Sequence, residues 1–381
     1  MTTGPECVFA ILTGRGRGGV ATFALHGNVR LADGVFTAKN GRLAADQYLN
    51  RICFGLIELT DGSAREEAVY CRTAENRAEI HCHGGPAVQR LIAEALLRSG
   101  VLQVSAKEFL AATDGPLAAD AALVLAKSQT SRTAKILLAQ QARFPQFLEQ
   151  IGKLPIGERI ASLRESLQWE TFGRHLTEPW MIVLCGPPNV GKSTLLNALV
   201  GYNRAIVFDQ PGTTRDVLTA ETAIEGWPMR FVDTAGLRST TDELEQAGIE
   251  QGKQTLAQAD LLLVLHDITQ GPSDLPAEVS EAQVQRIDVW NKCDAQLQQK
   301  EVAPTNDSVH ISALKHEGLE PLFERIVARL VPALPSADAV IPCSSQQANW
   351  LRDLLEAAEQ EDESRWTARL EELAAGRPAK G

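Results

Sequence analysis

The chain has 381 residues, 44% apolar and 22% charged, with 48 acidic against 37 basic side chains for a net charge of −11. That length sets an expectation of two or three domains, and the apolar fraction is that of an ordinary globular core. So acidic a chain is a poor stand-alone binder of nucleic acid, because phosphate neutralisation supplies most non-specific affinity; a role with RNA calls for a local basic patch or a partner protein. The seven cysteines, at 7, 53, 71, 82, 185, 293 and 343, are scattered and never spaced C-x-x-C, which argues against a disulfide framework and for a reducing, cytoplasmic setting. No run approaches 18 apolar residues, and the N-terminal stretch carries Arg15 and Arg17 without a long apolar core. Neither a membrane span nor a signal peptide is expected.

Residues 1–114 read as an α+β unit. Apolar strands are predicted over 7–12 and 20–25, separated by the glycine-rich turn 14–19, and further strands over 52–59 and 67–71 around an Asp61-Gly62 hairpin signal. The turn lacks the strand–G-x-G-x-x-G–helix context of a dinucleotide site and reads as a loop. Glu79 to His83 alternates as a strand, and Gly84-Gly85-Pro86 then starts a helix with Val88, Leu91, Ile92, Ala95 and Leu96 on one face. His81 and His83 share one side of that strand, as a metal pair or as a satisfied or solvent-facing pair. Residues 115–177 are helical: Leu117 to Ala126 with Ile136-Leu137-Leu138 continuing it, then shorter pieces over 144–151 and 160–167, broken at Pro155-Ile156-Gly157.

The stretch 185–194 then fits G-x-x-x-x-G-K-[ST], with Gly186, Gly191, Lys192 and Ser193 in register. An apolar run, 181–184, precedes it and a helical pattern, 194–200, follows. Strand, glycine loop and helix make a phosphate cradle: backbone N–H groups from Gly186 through Asn189, Val190 and Gly191 to Thr194, with the helix dipole, converge on the β- and γ-phosphates. Lys192 adds a point charge, and the Ser193 hydroxyl suits Mg2+. A second strand, 229–232, ends in Asp233-Thr234-Ala235-Gly236. Asp233 at a strand's carboxyl end faces a nucleotide crevice and suits Mg2+ through water, and the Gly236 N–H is in reach of a γ-phosphate. A third strand, 287–290, delivers Asn291-Lys292-Cys293-Asp294, an N-K-x-D pattern in which the Asp294 carboxylate accepts two N–H bonds from guanine, a pair adenine does not offer. A fourth, 309–311, leads into Ser312-Ala313-Leu314, which backs the guanine. Four such motifs in this order predict an α/β P-loop GTPase domain over 178–333, binding GTP and GDP. After a proline linker, helices are expected around Trp350, Leu351, Leu354 and Leu355 and around Trp366, Leu370 and Leu373, with a solvated charged segment, 359–365, between them.

The run 78–91, with His81-Cys82-His83-Gly84-Gly85-Pro86-Ala87-Val88, resembles the amino-terminal domain of the MnmE (TrmE) family of tRNA modification GTPases. Gly212-Thr213-Thr214-Arg215-Asp216 and Asp233-Thr234-Ala235-Gly236-Leu237-Arg238 are also similar to that family's motifs. The resemblance implies an α+β domain over 1–114, a GTPase domain over 178–333 inserted in an α-helical domain made of 115–177 and 334–381, and a homodimer. It also implies an association with tRNA wobble-uridine modification and a partner protein. Leu237 stands where Ras-like GTPases carry a water-orienting Gln. The resemblance implies two replacements: a K+ site made by Asn189 with the loop of Phe208, Gln210 and Thr213, and Glu245, which orients the attacking water through a second water. Thr214 completes the Mg2+ ligands. The alternative reading of Glu245 is a charged helix face beside Glu243 and Glu250. The pattern departs in two places. The family's formyl-tetrahydrofolate site uses an Arg whose position is Ala24 here and a Lys near Pro116, so only Glu75 fits and folate binding is not expected. The sequence ends 377–381 without the family's Cys-Ile-Gly-Lys tail. Three readings stay open: a K+-stimulated, tRNA-modifying GTPase; a regulatory GTPase paralogue, for example in ribosome assembly, that has lost folate chemistry; and a module that holds GTP without turnover.

Overall fold

A computed structural model describes residues 6–14, 18–59, 65–201, 219–233, 254–295 and 308–374. The chain forms two compact units, Met1–Leu123 with Thr367–Gly381, and Val124–Trp366.

The first unit is built on strands β1 (Cys7–Ile11), β2 (Val20–Gly27), β3 (Phe36–Ala38), β4 (Ile52–Glu58), β5 (Arg65–Ala74) and β6 (Arg77–His83), then helix α1 (Pro86–Arg98) and the short β7 (Leu102–Gln103). They make one sheet in the order β3-β4-β5-β6-β2-β1-β7, in which only the β1–β7 pair is parallel. Alternation sorts the faces: Ala78, Ile80 and Cys82 of β6 are buried, while Glu79, His81 and His83 take the other side. Phe9, Phe23, Leu25, Ile57 and Tyr70 meet Ile92 and Leu96 of α1 in one core. On the opposite face Ala10 and Ala24 pack under Phe109 of α2 (Ala106–Asp114), a helix started by the reciprocal Ser105–Glu108 capping box. Helix α3 (Pro116–Leu125) follows. The glycine-rich turn and the His-Gly-Gly run explain each other. A Cβ on Gly84 would sit 2.2 Å from the Gly18 carbonyl oxygen, and the Gly84 N–H donates to Gly19.

The histidine pair is satisfied by side chains. His81 lies 3.0 Å from Thr22 Oγ1 and 3.2 Å from Glu79, and His83 Nδ1 lies 2.5 Å from Glu66 Oε1.

The second unit opens with α4 (Ser131–Ile151), α5 (Ile156–Leu167) and α6 (Glu170–Arg174). Two expectations are corrected here. The segments around 136–138 and 144–151 belong to one 21-residue helix that starts at the Thr130 cap and runs through Pro145. Leu137, Gln140, Phe144, Leu148 and Ile151 recur every three or four residues on its buried face, and that packing outweighs the roughly 3 kcal/mol a helix-interior proline costs. Pro155 caps α5 rather than breaking it, so Ile156 and Gly157 are helical.

Then come β8 (Trp180–Cys185), α7 (Lys192–Gly201), β9 (Thr219–Ile224), β10 (Trp227–Asp233), β11 (Leu261–Asp267), the short α8 (Ala277–Ser280), β12 (Arg286–Asn291), β13 (Ser308–His310) and α9 (Leu319–Leu330). The sheet order is β13-β12-β11-β8-β10-β9, parallel except for the β9–β10 hairpin. Apolar clusters cover both faces, one containing Ile182, Leu184, Leu263 and Val289, the other Val183, Val232, Leu262 and Val264. That is why β11 is buried along its whole length. The chain leaves β8 toward β10 and returns to β11 on its other side, so the switch point lies at the carboxyl ends of these strands.

Helices α10 (Ser345–Glu359) and α11 (Glu363–Ala374) close the described chain. Phe144 of α4 meets Trp350 of α10 with ring centroids 6.5 Å apart. Gln140 donates to the Ala339 carbonyl at 2.9 Å and accepts from the Ile341 N–H at 3.1 Å, and Ser166 donates to Val340. Arg164 of α5 pairs with Glu359 at 2.7 Å.

Candidate nucleotide-binding site

Every motif residue within the described chain lies at one edge of the second sheet, where β8, β10, β11, β12 and β13 end. β8 delivers the loop 186–191 and α7 begins at Lys192. The loop has three positive-φ residues: Gly186 at 143°, Asn189 at 60° and Gly191 at 102°. Gly191 has no room for a Cβ, which would stand 2.3 Å from Asn291 Nδ2. Asn189 is exposed at the crest of the loop, whereas Val190 turns inward and is 1% exposed. Lys192 is buried, its Nζ donating to the Gly186 and Pro187 carbonyls at 3.0 and 2.9 Å. Its ammonium therefore sits over the loop where phosphate oxygens would be held. Ser193 and Thr194 are exposed in the first turn of α7. The Ser193 hydroxyl donates to Asp233 Oδ2 at 2.9 Å, which brings together the two predicted Mg2+ residues from β10 and α7. Asp233 itself is fully buried.

The far side of the loop is tied to the guanine-type motifs. Asn291, 3% exposed, donates through Nδ2 to the Val190 carbonyl at 2.9 Å and accepts through Oδ1 from the Ala313 N–H at 3.0 Å. Its role is thus to pin the phosphate loop to the Ser312–Leu314 loop. Lys292, at φ 68°, reaches Asp267 Oδ2 with Nζ at 2.7 Å. Burial pushes the Asp267 carboxyl up, but hydrogen bonds from Lys292 and Thr269 outweigh it and hold the group below the usual carboxylate range. Asp294 is reached by the Ser312 hydroxyl at 2.6 Å, which holds its carboxyl low and therefore ionised as an acceptor. Ser312 is fully buried, Ala313 nearly so, and Leu314 is 73% exposed as a free flank for a base.

A search against curated proteins finds relatives across both units. The tRNA modification GTPase MnmE of Moorella thermoacetica is 32% identical over 376 residues, covering 84% of this chain and 81% of the relative. MnmE of Chloroflexus aurantiacus is 33% identical over 333 residues, covering 76% and 73%. The chain belongs to the MnmE family. As an MnmE-family protein it is a GTPase, and residues 181–295 match the family described as 50S ribosome-binding GTPase. Solved structures similar to part of the chain include Era of Aquifex aeolicus bound to GDP·AlF4−, at 30% identity over 41% of this chain and 58% of that one, with a TM-score of 0.32. The G domain of Thermotoga maritima FeoB covers 40% of this chain and 99% of its own, at 24% identity and a TM-score of 0.29.

In this MnmE-family site, Gly236, Leu237 and Glu245, and the loop residues Phe208, Gln210, Thr213 and Thr214, lie outside the described residues. Sequence reasoning missed Asp267. Its signal was the apolar run 261–265 ending in His266-Asp267, a strand of the same kind as those carrying the other motifs. Ala24 is 4% exposed in the apolar cluster with Ala10 and Phe109, and Pro116 starts α3, so neither offers a cation to a folate carboxylate. These two residues do not fit a folate. No helix among the described residues is long and apolar enough to cross a membrane.

Proposed function

We propose that the protein is a K+-stimulated GTPase acting in tRNA wobble-uridine modification, cytoplasmic and dimeric in its active state, with a GTPase domain inserted in a helical domain. The observation that carries this reading is similarity to tRNA modification GTPases along both units, at 32% identity over 84% of the chain. The bonds from Gln140 and Ser166 to residues 339–341 support the insertion, since helices before and after the sheet share one packing arrangement. The free thiols among the described residues fit a reducing compartment.

Ser193 and Asp233 are the described residues that would hold Mg2+, with Thr214 as a further ligand by its motif, and Asn189 with the 208–214 loop would hold K+. Bound there, the two cations supply positive charge where negative charge accumulates on the transferred phosphoryl group. Lys192 holds the phosphates, and Asn291 keeps the loop in register with the base site. Asp294 selects guanine. Glu245 orients water, a task the Leu237 side chain cannot perform. Burial of Ala24 beneath Phe109 speaks for a member that does not bind formyl-tetrahydrofolate, which favours the second reading, a regulatory paralogue whose tRNA chemistry has been lost.

GTP hydrolysis measured in K+ and in Na+ over a protein-concentration series tests the first reading. A rate well above Na+ that rises with protein concentration is expected, with Asn189→Ala removing most of the K+ response while Mg2+–GTP binding persists. Equal rates in the two salts would overturn the cation mechanism. Calorimetry with formyl-tetrahydrofolate separates the two readings: micromolar binding would restore the tRNA-modifying one.

A further inference from the structure

An open cleft of 520 Å³ lies away from the nucleotide edge, between α4, the β9–β10 hairpin and the linker 334–341. Its size suits a small molecule. The walls are apolar: Ile136 and Ala139 from α4, Phe172 from α6, Trp227 from the hairpin, and Leu334 and Ile341 from the linker. The charged residues among its lining are all cations, Arg132, Lys135 and Arg143, one side of α4 at spacings of three and eight. On a chain of net charge −11, a ligand-sized cleft without a lining carboxylate is a marked local reversal of sign.

The partners of these cations leave positive charge in the cleft. Arg132 stacks over Trp227 at 4.6 Å and donates to the neutral Glu225 carbonyl at 2.6 Å. Lys135 has no ion pair among the described residues. Arg143 acts electrostatically on the Asp338 carboxylate, which stands outside the lining and takes its own hydrogen bond from Ser336. Thr130 donates to the Gly226 carbonyl at 2.7 Å, so the hairpin wall is fastened to the start of α4 and the cleft is a formed feature.

We infer that this cleft binds a small anionic amphiphile: one acidic head group, such as a carboxylate, sulfonate or phosphate, on an apolar body of aromatic or short aliphatic character. The head group lies against Lys135 and Arg143, and the body lies between Ile136, Ala139, Phe172 and Ile341. The site is separate from the GTP site and its ligand is not a guanine nucleotide.

The test uses the full chain saturated with Mg2+–GDP, so that the nucleotide site is filled, and titrates anilinonaphthalene sulfonate by calorimetry. Its neutral counterpart, phenylnaphthylamine, has the same kind of apolar body without the head group. One saturable site is expected for the sulfonate, with the neutral compound binding about tenfold more weakly or worse. Lys135→Glu and Arg143→Glu should each weaken the sulfonate about tenfold, and Ala139→Trp should abolish binding by filling the cleft without changing charge. Lys135 is exposed, so Lys135→Glu keeps the fold, which a thermal melt verifies. Absence of a saturable site, equal binding of the neutral compound, or unchanged affinity in the charge-reversed variants would overturn the inference.

Discussion

Asn291 holds two loops with one buried amide, accepting from Ala313 and donating to Val190. Asn291→Ala leaves that N–H and carbonyl unpaired in the interior, where each unmet group costs about 1–3 kcal/mol. Urea unfolding should show a loss of that size, and GDP affinity should fall with it because the phosphate loop loses its anchor. In the proposed function Asp294 would read the base. Asp294→Asn should weaken GTP binding at least tenfold and favour xanthosine triphosphate, measured as the ratio of the two dissociation constants. Acid stability is set nearby. The depressed Asp267 carboxyl contributes stability that is complete above its unfolded value of about 3.9 and is lost as pH falls through the lower folded value. Asp260 acts in the same direction: burial raises it, but bonds from His175 and the Met181 N–H bring it below the usual range. Urea midpoints measured from pH 6 downward should fall below about pH 4, and Asp267→Asn should flatten that slope while lowering stability at neutral pH. The gathering of Gly186, Lys192, Ser193, Asn291 and Asp294 at one sheet edge was legible because each belongs to a motif that directly follows a short apolar strand. Asp267 was not, because its partner Lys292 lies 25 residues away and no local spacing records the pair.

β11 lies inside the nucleotide sheet, between β12 and β8, and periodicity conceals it. Residues 261–265 are continuously apolar, so no alternation marks a strand, and a run that short reads equally as buried helix. Only its place between β8 and β12, buried on both faces, decides the matter. Leu263, fully buried at its centre, should lose about 2–5 kcal/mol as Leu263→Ala in urea unfolding, against little change for Leu138→Ala on the exposed face of α4. The helix α4 shows the converse. The sequence showed two of its pieces, 136–138 and 144–151, but not that they belong to one helix, which the packing of its buried face decides. The motif-bearing strands were read with their bounds within two residues, because each is an apolar run that ends at the polar or glycine residues of its motif.

The two units keep separate cores, one around Phe9, Phe23 and Tyr70 and one around Leu184, Leu263 and Val289. A ligand that binds only the second unit stabilises only that unit. Calorimetric unfolding should therefore resolve two transitions, of which Mg2+–GDP at about 100 times its dissociation constant raises one by about 2.7 kcal/mol and leaves the other in place. A single transition shifted as a whole would show the units to be coupled.

Gln140 is bonded to Ala339 across 199 residues of chain. At roughly 5–20 residues per second, a ribosome needs about 10–40 s to make that intervening stretch. Through that interval α4 is already synthesised, yet Phe144 has no Trp350 to meet and Gln140 no backbone to bind. The sheet from β8 to β13 emerges meanwhile with all its own strands and can fold first. That part of the α4 face, around Gln140 and Phe144, thus stays uncovered until the chain beyond the sheet has been made.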